Sequence, residues 1–242
     1  NQARGIMDMA LFEVGPVFHG GEPEEQELLA TGLLIGHTGP RDAHGARRSV
    51  DTFDAKADAE AILSAIGAPE KLMVLRGAKA WWHPGRSGKL SLGPKNVMCA
   101  FGELHPKIID AFSIKGPAVA FAIHLENPPQ PKRKTATRAA LKVSDLQAVE
   151  RDFAFVVDTE IEALTLLNAA KGADKALILD ASIFDVFDGS KAEAQMGEGK
   201  KSIAITVKLQ PIEATLTDKD IEAVTSKIID KVAKATGGVL RC

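Results

Sequence analysis

The chain has 242 residues, 45% apolar and 26% charged, with a formal net charge of −2. That balance excludes a disordered tail or a long coiled coil, and it does not describe a strongly basic nucleic-acid binder. No uncharged apolar run approaches the ~18 residues of a membrane-spanning helix, and no basic start followed by a hydrophobic stretch marks a secretory leader. Aromatics are 5% and Tyr is absent, so the cores must be built from Ala, Val, Ile and Leu. Cys99 and Cys242 have no metal-ligand spacing and read as free thiols in a reducing cytoplasm. The sequence opens on Asn1 in mid-pattern and reads as a piece of a longer chain.

The first half mixes strands with short helices. Ala10–Phe18 and Leu28–Ile35 are apolar runs bounded by Gly and Pro, as strands are. The charged loop Gly39–Val50 reads as a mobile or contact-making segment. Asp51 or Thr52 caps a helix whose buried face takes Ala55, Ala59, Ile62, Leu63 and Ile66, with Gly67 and Pro69 as its stop. Strands are expected near Leu72–Arg76, Lys89–Leu92, Val97–Glu103 and Ala118–Leu125. A short helix starts at Pro106, where a missing amide does no harm.

The middle changes composition. Residues 128–149 carry 5 basic side chains against 1 acidic, while the flanking segments are both net negative. Three prolines precede Lys132, Arg133 and Lys134, so the stretch should be extended and exposed. The domains are therefore 1–127, a linker at 128–149, and 150–242.

The last third is the clearest. Arg151–Asp158 is a β-rich run, Ile161 to Lys171 a helix stopped by Gly172, and Leu177–Phe187 a second strand. Ser190–Glu198 reads as a loop. Lys201–Leu209 alternates strictly, with Ile203, Ile205, Val207 and Leu209 on one face. Thr217 and Asp220 form a capping box, Lys231 and Lys234 suit the negative end of the dipole, and Gly237 ends the helix. Val239–Arg241 is the last strand. This order is the ferredoxin-like βαββαβ plan, with two helices on one sheet face and the other face bare.

Five segments of this region carry a resemblance. They are Val149-Glu150-Arg151-Asp152-Phe153-Ala154-Phe155-Val156-Val157, Phe184-Asp185-Val186-Phe187-Asp188-Gly189, Gly199-Lys200-Lys201-Ser202-Ile203-Ala204, Thr215-Leu216-Thr217-Asp218, and Leu240-Arg241. They resemble the ferredoxin-fold anticodon-binding domain ending the β chain of bacterial phenylalanyl-tRNA synthetases. Leu11-Phe12-Glu13-Val14-Gly15, His83-Pro84-Gly85-Arg86-Ser87 and Phe101-Gly102-Glu103-Leu104-His105-Pro106 resemble the noncatalytic class II synthetase-like module before it. The implied fold class is α+β: a partial antiparallel class II-like module, then a ferredoxin-like domain. The resemblance also implies a parent enzyme of α2β2 form that joins phenylalanine to its tRNA with ATP and Mg²⁺. Its active site would lie on the α chain, with tRNA and that chain as partners and no DNA or membrane.

The residues themselves agree with a noncatalytic piece. None of the six histidines pairs at metal-ligand spacing, and neither a nucleophile elbow nor a phosphate loop is present. His83 and His105 each precede Pro and read as turns. Gly197-Glu198-Gly199-Lys200 lacks the phosphate-loop spacing. The sequence therefore offers no catalytic residue, no metal site and no cofactor within the chain. RNA binding needs cations for phosphates and flat surfaces for bases. The candidates are Arg151, Lys200, Lys201, Lys208 and Arg241, with Lys132, Arg133, Lys134 and Arg138 as weaker linker contacts. The first and third strands of such a sheet are neighbours, so Arg151, Lys200 and Lys201 are expected to cluster. Phe153 and Phe155 read as core, though an outward ring would stack on a base. The alternative reading is a ferredoxin-like module that senses a small ligand such as an amino acid.

Overall fold

The computed structural model describes residues 2–45, 47–79, 81–129, 140 and 143–241. The chain divides into two compact units, residues 1–136 and 137–242. The fold is α+β, and every sheet neighbour is antiparallel.

In the first unit, β1 (Met9–Phe18), β2 (Gln26–Ile35), β3 (Met73–Arg76), β4 (Trp82–Leu92), β5 (Asn96–Leu104) and β6 (Ala118–His124) form one sheet. Its order is β1-β2-β6-β5-β4-β3. Helix α1 (Thr52–Ala65) packs on one face. Asp51 caps it, accepting from the Phe53 and Asp54 amides at 2.8 and 3.3 Å, while Asp54 accepts from the Asp51 amide at 2.8 Å. Both side chains thus satisfy donors that the first turn leaves orphaned. Ala55, Ala59 and Leu63 are buried against a core that includes Cys99, Phe101, Phe121 and Ile123. Small Ala side chains let the helix approach closely, and Gly32 does the same for the sheet. A Cβ on Gly32 would lie 2.2 Å from the Phe121 ring. Ile66 departs from the expected buried face: it is the C-cap, beyond the helical repeat, and is 42% exposed.

β4 begins well before the expected Lys89. Its register breaks between Trp82 and Ser87, so His83-Pro84-Gly85-Arg86 forms an irregular bulge within the strand. Such a bulge tolerates Pro, which cannot donate to a ladder. The His83 ring Nδ1 accepts from the Gly85 and Arg86 amides at 3.1 and 3.2 Å. His105 caps the short α2 (Pro106–Ala111), its Nδ1 accepting from the Lys107 amide at 3.1 Å.

The second unit contains β7 (Val149–Asp158), α3 (Ala163–Lys171), β8 (Ile178–Phe187), α4 (Ser190–Met196), β9 (Lys200–Leu209), α5 (Asp218–Thr236) and β10 (Val239–Leu240). The sheet order β10-β7-β9-β8 is that of a ferredoxin-like βαββαβ unit, with α4 added between the second and third strands. Phe155, Ile203, Ile205, Val207 and Leu209 meet Leu166 of α3 and Val224, Ile228 and Val232 of α5. Each such side chain contributes about 1.5–3 kcal/mol when fully buried. Thr217 and Asp220 box the start of α5, and Gly237, at φ 67°, ends it in a conformation that costs glycine least.

The segment before β7 is tied to this unit. Ser144 Oγ donates to the Pro211 carbonyl at 2.7 Å, and Gln210 Nε2 donates to the Leu146 carbonyl at 2.8 Å. Lys132, Arg133, Lys134 and Arg138 lie outside the described residues.

Candidate nucleic-acid interface

Directly opposed residues of antiparallel strands share a face. Phe153 opposes Ile205 and Phe155 opposes Ile203, so both rings face α3 and α5. They stack on each other at 6.2 Å between centroids and are buried, which removes them as platforms for bases.

The opposite face carries Glu150, Asp152, Ala154, Val156 and Asp158 from β7, facing Lys208, Thr206, Ala204, Ser202 and Lys200 of β9. Asp180, Ser182 and Asp185 of β8 extend it. Five carboxylates therefore share a face with few cations, and those cations are engaged. Lys200 Nζ lies 2.5 Å from Asp158 Oδ1, and Lys208 Nζ lies 3.6 Å from Glu150 Oε1. Thr206 Oγ1 donates to Asp152 Oδ1 at 2.6 Å. Lys171 bonds Asp180 at 2.7 Å and holds its carboxyl below the usual carboxylate range.

The expected cluster of Arg151, Lys200 and Lys201 does not form. The strands are antiparallel, so the start of β7 meets the end of β9: Arg151 opposes Val207, while Lys200 opposes Asp158. Arg151 thus stands six to seven positions from the two lysines, about 20 Å or more along the strand. The two lysines also diverge from each other. Lys201 opposes Val157 on the helix side, and its Nζ donates to the Thr159 carbonyl at 2.8 Å. Arg151 is on that helix side too, exposed, with Nη1 donating to the Glu150 carbonyl at 3.4 Å. Arg241 donates its amide to the Ala154 carbonyl at 2.7 Å, extending β10 by one residue.

Nor is the second sheet face wholly bare. Ser190–Glu198, expected as a loop, contains α4, which packs on β9 through the fully buried Ala192. Ser202 points away from α3 and α5 yet is only 4% exposed. Gln195 in the last turn of α4 accepts from Arg241 Nη2 at 3.4 Å. Helix α4 thus covers the Lys200 end of the face, and the bare part is the acidic half around Glu150, Asp152 and Asp180. Ser190-Lys191-Ala192-Glu193-Ala194-Gln195-Met196 is rich in good helix formers, a signal the flanking glycines obscured.

The helix side presents other cations. Lys227 bonds Asp174 at 2.7 Å, which keeps that carboxyl below its usual range. Lys231 and Lys234 stand one and two turns further along α5. With Asn168, Ala169, Gly172 and Ala235 they line a groove of about 280 Å³ between α3 and α5.

In the first unit the charged side chains close on one another. Glu27 bridges His19, at 3.1 Å, and His124. Asp8 accepts from the His37 amide at 3.0 Å and from Arg47 at 3.0 Å. Arg48 grips Asp54 with both terminal nitrogens, at 2.8 and 2.6 Å. Arg47 and Arg48 thereby tie the end of the Gly39–Val50 loop to Asp8, just before β1, and to α1. Burial pushes the Cys99 thiol up to about 12, so it stays protonated near neutrality. Among the described residues no three His, Cys, Asp or Glu side chains are placed to hold a metal ion. No helix among them is long and apolar enough to cross a membrane.

Comparison with known proteins gives two family matches that follow one another along the chain. Residues 1–125 match the phenylalanyl tRNA synthetase beta chain CLM domain, and residues 144–241 match the ferredoxin-fold anticodon binding domain. The phenylalanine–tRNA ligase beta subunit of Cereibacter sphaeroides is 66% identical over 241 residues, covering 100% of this chain and 30% of that protein. The corresponding subunits of Ruegeria pomeroyi and Rhodospirillum rubrum are 64% and 49% identical, with the same coverage. The chain therefore spans about a third of the length of these curated relatives. A solved pyrrolysyl tRNA synthetase from Desulfitobacterium hafniense aligns over 52% of this chain and 42% of that one. Its identity to this chain is 14% and its TM-score 0.38.

Proposed function

This chain belongs to the phenylalanyl-tRNA synthetase β chain family, and we propose that it positions tRNA and makes subunit contacts without forming bonds itself. In this reading the parent enzyme attaches phenylalanine to its tRNA in the cytoplasm, in an α2β2 assembly. Activation of the amino acid, with ATP and Mg²⁺, belongs to the α chain. Residues 1–127 serve as a noncatalytic class II-like module, 128–149 as a linker whose end, from Ser144, is hydrogen-bonded to the second unit and enters β7 at Val149, and 150–242 as the anticodon-binding domain.

The observation that carries this is the β10-β7-β9-β8 sheet with its two covering helices, within the stretch that matches the anticodon-binding family. An anticodon arm offers a phosphate backbone and unstacked bases, which such a domain can hold through cations and backbone groups. The acidic second unit, with 16 acidic against 12 basic side chains over 150–242, makes tight binding by this domain alone unfavourable. Affinity then comes from several contacts acting together in the assembly.

The test is tRNA footprinting by the complete enzyme with and without residues 144–241. Truncation is expected to lose protection of the anticodon arm and raise the KM for tRNA, leaving that for phenylalanine nearly unchanged. An unaltered footprint overturns the tRNA role. Aminoacyl-adenylate formation by this stretch alone overturns the noncatalytic assignment.

A further inference from the structure

We propose that the groove between α3 and α5, on the helical side of the second unit, is a phosphate-binding surface for the RNA backbone. The inference rests on the anticodon-domain reading and deepens it by naming the surface. The reason lies in which cations are committed. On the sheet face Lys200 and Lys208 already hold carboxylates, and α4 covers one end. A phosphate arriving there would have to displace an ion pair and approach further carboxylates.

The α3–α5 groove is different. Lys227 is neutralised by Asp174, which also fastens the turn after α3 to α5. One and two turns on, Lys231 and Lys234 make no ion pair with any described residue, and both line the groove. Asp230 lies beside Lys231 in sequence, but adjacent positions on a helix do not face each other, and it makes no ion pair with Lys234. Ala169, Gly172 and Ala235, which line the same groove, carry no bulky side chain to hold a polymer backbone away from the two ammonium groups. Asn168, also lining the groove, offers a side-chain amide as a further donor.

The C-termini of α3 and α5 lie near this groove, and each contributes roughly half a negative charge. Two ammonium groups carry more charge than that, so the helix ends alone do not neutralise them. A purely structural role, in which the lysines only offset the helix ends, makes a different prediction and can be separated by salt dependence.

The experiment is the double variant Lys231→Gln with Lys234→Gln in the full-length β chain assembled with its α partner. The equilibrium affinity for tRNA is measured from about 0.05 to 0.3 M salt, with thermal unfolding alongside. Two lost phosphate contacts should weaken binding roughly tenfold or more near 0.1 M salt and reduce the log–log salt slope by about 1.4–1.8. Lys231→Arg with Lys234→Arg should keep the slope, and Lys234→Gln alone should lose about half of the effect if the double variant folds poorly. An unchanged slope, with or without a lower unfolding midpoint, overturns the groove assignment. If truncation of residues 144–241 is itself without effect on tRNA binding, the anticodon-domain reading has failed instead.

Discussion

Lys200 and Asp158 oppose each other across β9 and β7, with ammonium and carboxylate 2.5 Å apart. The pair sits at the end of the sheet face that α4 overlies. Lys200 is thus a cation already matched within its own domain.

That pairing sets the direction of a charge test. Asp158→Asn releases Lys200 and removes one negative charge, so tRNA affinity in the complete enzyme should rise or hold, while Lys200→Ala should change it little. If tRNA uses Lys200 directly, the salt slope falls by about 0.7–0.9 on Lys200→Ala. A slope titration of the two single variants decides between these outcomes.

Ala192 anchors α4 to β9 with no exposed surface. Ala192→Leu overfills that contact and should destabilise the second unit by about 1–3 kcal/mol. Denaturant unfolding of the chain checks this, and Ser202, buried beneath the helix, should gain solvent exposure in hydrogen exchange.

The Asp174–Lys227 pair predicts an acid limb. The Asp174 carboxyl is held below its usual 3.8, chiefly by the hydrogen bond from Lys227. A depressed carboxyl pKa contributes stability that is complete above the unfolded value. It is lost as pH falls from about 4 through the lower folded value. Asp174→Asn should flatten this part of the stability profile, measured by denaturant midpoints between pH 5 and pH 2. An unchanged acid limb would assign it to other carboxylates.

Gly32 has no side chain because the Phe121 ring occupies that space. Gly32→Ala should cost about 1–3 kcal/mol through displacement of the ring. The loss should be partly restored by Phe121→Leu, a coupling that a double-mutant cycle measures directly.

Local patterning along the chain was enough to read the strands of the second unit, α3, α5 and the family resemblance, but not α4. Alternation marks β9, since period two leaves no other way to bury Ile203, Ile205, Val207 and Leu209 together. Thr217, Asp220 and Gly237 delimit α5 because orphan amides and a left-handed turn favour those residue types. Which charges meet was set by strand pairing and helix packing. Arg151 and Lys200 look like neighbours in a list of strand starts, but antiparallel pairing sends them to opposite ends of the sheet. Lys200 and Lys201, adjacent in sequence, fall on opposite faces because strand side chains alternate. For Lys200, Lys208 and Lys227 the carboxylate partner lies far away in the sequence, at Asp158, Glu150 and Asp174. The positions of Asp158, Asp174 and α4 therefore fixed the candidate surface, where periodicity and capping had no long-range information to give.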